Sequence, residues 1–206
     1  MTLAAIIDDP IACACAAIAA DSIAVIPDFL AAPIVASLAA DARRRDIAGE
    51  FCAARIGRDA IRLERRDIRG DRTLWLDVQA PTPAERALWQ ALERLRIAFN
   101  EATFLGLFSF EGHYALYPPG AFYRRHRDRF RDDDARLLSC VFYLNEGWTA
   151  ADGGALRLHS PGRDTCDVLP VGGTMVCFLA DRHEHEVLPA TRNRLSIAGW
   201  FRRREP

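Results

Sequence analysis

The stretch that decides the fold begins at Phe104 and includes the runs GHYALYPPG (112–120), LLSCVFYLNEG (137–147) and RLSIAGWF (194–201). Four further runs lie between them: GGALRLHSPG (153–162), CDVLPVGG (166–173), TMVCFLA (174–180) and HEVLPA (185–190). The runs are apolar or alternate apolar with polar residues, and turn residues such as Gly and Pro separate them. Seven closely spaced strand candidates of this kind predict an antiparallel sandwich, jelly roll or barrel.

The clearest helix signal lies upstream of this region. Thr82-Pro83-Ala84-Glu85 is a capping box with proline at the first helical position. An apolar stripe follows it at spacings of four, three and four residues, formed by Leu88, Leu92, Leu95 and Phe99. The pattern predicts an amphipathic helix that packs on a sheet.

Residues 1–20 and 31–45 also predict helices, whereas 22–29 and 73–78 read as strands. The Gly- and Arg-rich stretch 48–72 predicts an exposed loop or hairpin, and its part 55–72 is a candidate lid over a site.

We therefore expect a mixed α/β chain with a mainly β core, folded as a single domain over residues 1–206. Residues 1–103 would form a helical cover and a substrate loop, and residues 104–206 a jelly-roll core. The N-terminal helices are expected to pack on the major sheet.

Composition narrows the function classes. The formal net charge is −1 and every basic side chain is an arginine, so no overall positive field points to nucleic acid. The six cysteines form neither a CxxC pair nor a short Cys/His framework, which argues against structural zinc and predicts reduced thiols. The N-terminus is a poor signal peptide, and no apolar run reaches the roughly 18 residues of a membrane span. These features predict a cytoplasmic protein with no membrane or nucleic-acid partner.

The first chemical signal is His126-Arg127-Asp128. On an extended strand, residues two apart point to the same side, so His126 and Asp128 can reach one metal ion. His185 starts a later strand and is the candidate third ligand. Two histidines and one carboxylate form the facial triad of non-haem iron oxygenases, which leaves open coordination positions. His183 competes with His185 for this role, whereas His113 and His159 are expected to be ordinary polar positions.

A second signal is Arg194, which lies in the apolar run Arg194–Phe201 and shares its strand face with Ser196. An unpaired arginine in the core would be costly, and a bound carboxylate would neutralise it. Tyr143 lies in another apolar strand, and its buried hydroxyl would need a partner such as the same carboxylate. Tyr117 either lines the mouth of this site or belongs to the core.

In combination, these motifs resemble the prolyl hydroxylases of the hypoxia-inducible-factor type and their bacterial relatives. The likeness covers roughly residues 65–202 and rests on motifs in a fixed order. They are Ile68-Arg69-Gly70-Asp71, Trp75, Tyr117-Pro118, His126-x-Asp128, Arg136, Phe142-Tyr143-Leu144-Asn145, Gly153-Gly154, Leu156, Leu158, Asp181-Arg182, His185-Glu186-Val187, Pro189, Arg194 and Trp200.

The resemblance implies a double-stranded β-helix fold, with Fe(II) and 2-oxoglutarate as cofactors and ascorbate as a supporting reductant. It implies a dioxygenase that hydroxylates a prolyl residue of a protein substrate and releases succinate and CO2. Elongation factor Tu is a candidate substrate, because bacterial relatives are linked to it. Iron would bind His126, Asp128 and His185, and 2-oxoglutarate would bind Arg194, Tyr143, Tyr117 and Ser196. Substrate contacts would come from Arg69, Asp71, Arg136 and Trp200.

Two features leave alternatives open. The basic segment 124–131 could favour an acidic substrate surface or be solvated charge. The same cofactors could instead serve hydroxylation of a free amino acid, a small metabolite or an alkylated base. A jelly roll with this triad could also be a non-catalytic metal-binding module or a zinc hydrolase. A binding module would not need Arg194 and Tyr143 placed for a dicarboxylate.

Overall fold

The computed structural model describes residues 9–54, 65–129, 134–160, 162 and 164–204. Within them three α-helices form, α1 (Pro10–Asp21), α2 (Ala32–Ile47) and α3 (Pro83–Thr103), where the sequence predicts them. The first eight residues of the predicted N-terminal helix lie outside the described ranges. None of the helices described is long and apolar enough to cross a bilayer.

The capping box of α3 forms as predicted. The hydroxyl of Thr82 accepts a hydrogen bond from the backbone N–H of Glu85 at 3.2 Å, and the Glu85 carboxylate accepts one from the N–H of Thr82 at 2.8 Å. The apolar stripe of this helix is fully buried and belongs to one hydrophobic cluster with Leu116 and Ile197 of the larger sheet. The helices and one face of that sheet therefore share a core.

The larger sheet has seven antiparallel strands in the order β1-β9-β6-β11-β4-β3-β2. Their bounds are β1 Ile23–Ile26, β2 Cys52–Ala53, β3 Arg72–Trp75, β4 Ser109–Tyr117, β6 Arg136–Tyr143, β9 Met175–Leu179 and β11 Arg194–Arg202. Cys140 and Cys177 lie opposite each other in β6 and β9, where both are buried thiols, as expected for small apolar residues.

The smaller sheet has the order β5-β10-β7-β8, with bounds β5 Tyr123–His126, β7 Leu156–His159, β8 Cys166–Val168 and β10 Glu184–Val187. Strand β5 is absent from the seven runs predicted above. Its sequence Tyr-Arg-Arg-His has neither an apolar run nor an apolar–polar alternation, so nothing local marks it. Its pairing with β10 forms the strand.

Strand β11 shows how the larger sheet separates its two faces. Leu195, Ile197 and Phe201 enter the cluster shared with the helices. Arg194, Ser196 and Trp200 point to the opposite face and line a cavity. The two-residue period of the strand therefore places apolar side chains on the helix side and polar or amphipathic ones on the cavity side.

The predicted loop 48–72 is partly ordered by pairing. Strands β2 and β3 lie at its two ends and join the larger sheet, and residues 55–64 lie outside the described part. The N–H of Gly70 donates to the carbonyl of Phe122 at 2.9 Å, and the N–H of Arg124 donates to the carbonyl of Ile68 at 2.8 Å. The end of the candidate lid therefore lies along the edge of β5.

Candidate metal and dicarboxylate site

The structure brings His126, Asp128 and His185 together. One ligand atom from each lies within 4.8 Å of the other two. Nε2 of His126 is 3.6 Å from Oδ1 of Asp128, and Nε2 of His185 is 3.5 Å from Oδ2 of the same carboxylate. His126 and His185 face each other directly in the β5–β10 register. Two imidazole nitrogens and a carboxylate thus converge on one point.

Neighbouring groups orient these side chains. Nδ1 of His126 lies 2.7 Å from the carbonyl oxygen of Arg124, so it carries the proton and leaves Nε2 with its lone pair directed at the site. Tyr123 stacks on the His126 ring at a centroid distance of 3.5 Å. The hydroxyl of Ser139 donates to Oδ2 of Asp128 at 2.7 Å.

Electrostatics keep these groups in the ligating form. Burial alone would raise the pKa of Asp128, but the imidazoles of His185 and His126 and the Ser139 hydrogen bond outweigh it and lower that pKa strongly. Burial lowers the pKa of His185 to about 4, against the opposing effect of Asp128. At neutral pH the site therefore presents an anionic carboxylate and a neutral imidazole.

Arg194 is the largest side chain that is fully buried, at 1% exposure. Its Nε donates to the carbonyl of Gly154 at 2.8 Å, and Nη1 lies 3.3 Å from the hydroxyl of Ser196. Among the described residues, neither Nη2 of Arg194 nor the hydroxyl of Tyr143 has a hydrogen-bond partner. A cation and a hydroxyl, both buried, therefore await an acceptor.

Two tyrosines flank this guanidinium. Its carbon lies 5.1 Å from the ring centroid of Tyr143 and 5.2 Å from that of Tyr117. Burial raises the pKa of Tyr143 to about 12, although the charge of Arg194 acts in the opposite direction. Burial also raises the pKa of Tyr117. Both phenols therefore stay protonated and can donate to an anion.

Gly154 makes room for Arg194. Its φ is +70°, and a Cβ there would lie 2.9 Å from Cβ of Ala190 and 3.2 Å from Cδ of Arg194. An L side chain would be strained by this φ and would crowd the guanidinium stem. This explains the second glycine of the Gly153-Gly154 motif.

The metal triad and the guanidinium of Arg194 border one cavity of about 930 Å³ that is open on one side. The metal triad, Tyr117, Arg194 and Ser196 line its inner part. An outer part contains Trp75, His113 and Trp200, whose rings lie 4.9–6.4 Å apart. The cavity is thus large enough for more than a small dicarboxylate.

The four residues predicted to contact the substrate form two interacting pairs at this cavity. The guanidinium of Arg136 lies 3.5 Å above the Trp200 ring, and its Nε donates to Glu111 at 2.9 Å. Nε of Arg69 donates to Asp71 at 2.7 Å. Arg69, Arg136 and Trp200 line the cavity, whereas Asp71 is buried and holds the guanidinium of Arg69.

The remaining histidines lie outside the metal triad, each in different surroundings. His183 faces the hydroxyl of Ser160 at 3.1 Å, and His159 pairs with Glu186 at 3.0 Å, so neither belongs to the triad. The expectation that His113 is an ordinary polar position is wrong, because it is 4% exposed and its ring packs at a tilt against the rings of Trp75 and Trp200. Its place in the β4 alternation with Ala115 and Tyr117 was the available signal.

Sequence reasoning also missed Ser139 and Tyr123, which orient Asp128 and His126. Ser139 lies inside the apolar run of β6, and a single serine in such a run does not predict a functional role. The basic segment contains two partnered residues, since Arg125 pairs with Glu184 at 2.7 Å and Arg129 with Asp181 at 3.0 Å. These ion pairs favour the interpretation of that segment as solvated surface charge.

The donor set fits iron and a dicarboxylate. Two neutral imidazoles and one carboxylate with open positions are the ligands of non-haem Fe(II) oxygenases, whereas structural zinc prefers a closed tetrahedron. The unpartnered Nη2 of Arg194 offers the second donor that a bidentate carboxylate contact requires.

Comparison with known proteins identifies the class. Residues 112–202 match the 2OG-Fe(II) oxygenase superfamily. The crystal structure of a prolyl-4-hydroxylase from Pseudomonas putida is similar at 48% identity and a TM-score of 0.85, covering 95% of this chain and 100% of that one. The chain therefore belongs to the 2OG-Fe(II) oxygenase superfamily, whose cofactors are Fe(II) and 2-oxoglutarate.

Within that superfamily, its 48% identity to the Pseudomonas putida enzyme over all of that chain makes it a member of the prolyl hydroxylase group. Egl nine homolog 1 from Homo sapiens is 29% identical over 188 residues, which are 87% of this chain and 43% of that protein. The chain spans about half the length of that protein in human, rat and mouse. A Trichoplax adhaerens prolyl hydroxylase, solved with a hypoxia-inducible-factor peptide, shares the fold at 23% identity and a TM-score of 0.80, over 92% of this chain and 87% of that one.

Proposed function

We propose that this protein hydroxylates a prolyl residue of a protein substrate, consuming 2-oxoglutarate and dioxygen and releasing succinate and CO2. The observation that carries the proposal is one cavity with two neighbouring sites. One is the convergence of His126, Asp128 and His185. The other is the unpartnered Nη2 of the buried Arg194, next to the unpartnered hydroxyl of Tyr143.

In this proposal His126, Asp128 and His185 hold Fe(II). Arg194 holds the distal carboxylate of 2-oxoglutarate, with Tyr143 and Ser196 donating hydrogen bonds, and Tyr117 lies near its other end. When bound, the two cofactors supply the oxidising power that inserts one oxygen atom of dioxygen into a C–H bond.

The chain itself orients the reactants and keeps water away from them. Ser139 holds one oxygen of Asp128, and the carbonyl of Arg124 sets the tautomer of His126. Phe178 lies 4.8 Å from the His185 ring and makes that side of the site apolar. Because the positions of these groups are set before substrate arrives, little reorganisation is needed during the reaction.

The substrate part of the proposal rests on the outer cavity. Trp200 with Arg136 above it would lie beside the target proline, and Arg69, held by Asp71, would contact the substrate. A cavity of about 930 Å³ suits a peptide better than a free amino acid. A protein substrate such as elongation factor Tu is the candidate, in agreement with the peptide complex of the Trichoplax enzyme.

The proposal also assigns the architecture. The two facing antiparallel sheets would form the double-stranded β-helix of the family within residues 104–206. Residues 1–103 would contribute the helical cover and substrate loop of the same domain. This division predicts that helices and sheets unfold in a single transition.

The test uses purified protein that is loaded with Fe(II) under anaerobic conditions and then supplied with 2-oxoglutarate, ascorbate and dioxygen. Candidates are peptides around each proline of elongation factor Tu, the whole factor, and free proline. We expect one peptide to stimulate 2-oxoglutarate consumption and to gain the mass of one oxygen atom. Asp128→Ala should lose both signals while remaining folded. Stimulation by free proline alone would overturn the protein-substrate proposal, and full turnover by Asp128→Ala would overturn the ligand assignment.

A further inference from the structure

The outer cavity is built on successive rows of the larger sheet. Ser196 pairs with Tyr143 on one side and Ala115 on the other, and Ala198 pairs with Val141 and His113. Since alternate residues face the same side about 6.6 Å apart, His113 lies one row beyond the proposed 2-oxoglutarate contacts. Trp75 continues this row beyond His113, and Trp200 begins the next one. A substrate that passes Trp200 towards Trp75 would therefore cross His113.

His113 is buried in this wall. It is 4% exposed, with the rings of Trp75 and Trp200 at 4.9 Å and 5.6 Å. Among the described residues, its Nδ1 has no hydrogen-bond partner, and neither has Nε1 of Trp200. Both residues line the cavity, and each holds a buried polar atom that is unsatisfied among the described residues. Such groups are rare in native proteins, because each costs about 1–3 kcal/mol.

The charge state of His113 limits what it can bind. Burial, followed by the nearby charge of Arg69, lowers its pKa to about 4, so the ring is neutral at physiological pH. A neutral imidazole offers one donor and one acceptor. The indole N–H of Trp200 is a donor only. Together they suit a neutral ligand that has both a carbonyl and an N–H group, as a peptide backbone does.

We propose that His113 is a specificity-determining residue that hydrogen-bonds the substrate backbone at a residue flanking the target proline. The backbone would lie against the apolar rings of Trp75 and Trp200, with a carbonyl accepting from Nε1 of Trp200. This inference rests on the proposed function, because it assigns the outer part of the same cavity. It makes recognition at this position independent of the flanking side chain.

The variants that test this inference are His113→Phe and His113→Asn. Phenylalanine keeps a ring packed against both tryptophans but has no polar atom, whereas the asparagine amide lies close to the position of Nδ1. We expect His113→Phe to raise KM for a hydroxylated peptide roughly tenfold to a hundredfold, and His113→Asn to recover part of that loss. KM for 2-oxoglutarate should change less than KM for the peptide, because Arg194 and not His113 faces the proposed position of that cofactor. Equal peptide KM values for wild type and His113→Phe would overturn the inference.

An ester scan locates the hydrogen bond. In each peptide one amide flanking the proline is replaced by an ester, which removes an N–H and weakens the carbonyl as an acceptor. We expect one ester to weaken binding to wild type, while adding no further loss to His113→Phe. If every ester weakens both proteins equally, His113 has only a structural role, and a lower Tm of His113→Phe would agree with that result.

Binding is measured separately from turnover, by calorimetry with Mn(II) in place of Fe(II) and 2-oxoglutarate present. Peptide binding that depends on His113 without hydroxylation would overturn the proposed reaction but leave the inference standing. Peptide hydroxylation that His113→Phe leaves unchanged would overturn the inference but leave the proposed reaction standing. The absence of binding by any elongation factor Tu peptide or the whole factor would overturn both.

Discussion

The two faces of the seven-stranded sheet treat buried polar groups differently. On the helix face, Glu85 accepts from the backbone of Thr82, from the Tyr114 hydroxyl at 3.2 Å and from Arg45 at 3.4 Å. On the cavity face, Arg194 and Tyr143 keep atoms that have no partner among the described residues. The buried charge of Glu85 is thus paired within the chain, whereas the buried guanidinium of Arg194 keeps a donor, Nη2, without a partner among the described residues.

This difference bears on whether a buried polar group contributes to stability or to function. A buried polar group without a partner costs free energy, so a fold selected for stability alone would pair it or replace it with an apolar residue. Under the proposed function, the partners of the groups on the cavity face arrive with the cofactor and substrate. Substitutions on the two faces should therefore change different measurements.

The largest expected effect comes from Arg194→Met. Removing the cation that faces the distal carboxylate should raise KM for 2-oxoglutarate by roughly two orders of magnitude or more, since loss of one partner of a buried ion pair costs about 2–5 kcal/mol. The ligand-free protein should keep or gain stability, because a buried charge becomes an apolar side chain. Steady-state kinetics and urea unfolding measure the two effects.

Arg192→Met is the matched control for that experiment. Arg192 lies two residues away, is partly exposed and pairs with Asp152 at 3.0 Å. Its substitution should leave KM for 2-oxoglutarate unchanged. If both variants weakened 2-oxoglutarate binding equally, the contrast between the two sheet faces would lose its functional meaning.

Leu92→Ala tests the helix face. Leu92 is 1% exposed in the cluster shared by α3 and the sheet. The cavity created should lower the free energy of unfolding by about 2–5 kcal/mol. Below the unfolding transition, kcat and both KM values should match wild type. If KM for 2-oxoglutarate changed greatly while the variant remained fully folded, the helix face would also shape the site.

The pH dependence of stability tests the buried imidazole of His113. Burial lowers its pKa from 6.5 to about 4 in the folded state, so the unfolded state binds the proton more readily. Its contribution is therefore fully present above pH 6.5 and is lost as pH falls towards 4, by up to about 3 kcal/mol. In metal-free protein, urea unfolding of His113→Phe should show a shallower loss than wild type across this range. Identical slopes would mean that the imidazole has the same pKa in the folded and unfolded states.

The smallest expected effect concerns the hydrogen bond from Ser139 to Asp128. Ser139→Ala should weaken Fe(II) binding about tenfold to a hundredfold, as is usual for groups that orient metal ligands. Ser139→Thr keeps the hydroxyl and should restore most of the affinity. Metal titration measures this without turnover, and unchanged affinity in Ser139→Ala would remove Ser139 from the site.

Several site residues could be predicted before any coordinates. The position of Arg194 inside an apolar strand is a local anomaly, because a charged side chain stands where the pattern demands an apolar one. The spacing of His126 and Asp128 is typical of two ligands to one metal ion. The family resemblance supplied Arg136 and Trp200. The roles of Ser139 and His113 were missed because a single polar residue in a strand does not show which side chains of other strands lie beside it.

The sequence by itself determined the helix stripe of α3, its capping box and the alternation that divides β11 between core and cavity. These features depend on residues a few positions apart, whose geometry follows from the period of a helix or strand. Only the tertiary structure decided that β5 exists, that His126 faces His185, and that the Nδ1 atom of His113 is enclosed without a partner among the described residues. Those facts depend on the register between strands distant in the chain, which is set by the packing of the whole sheet rather than by any single run.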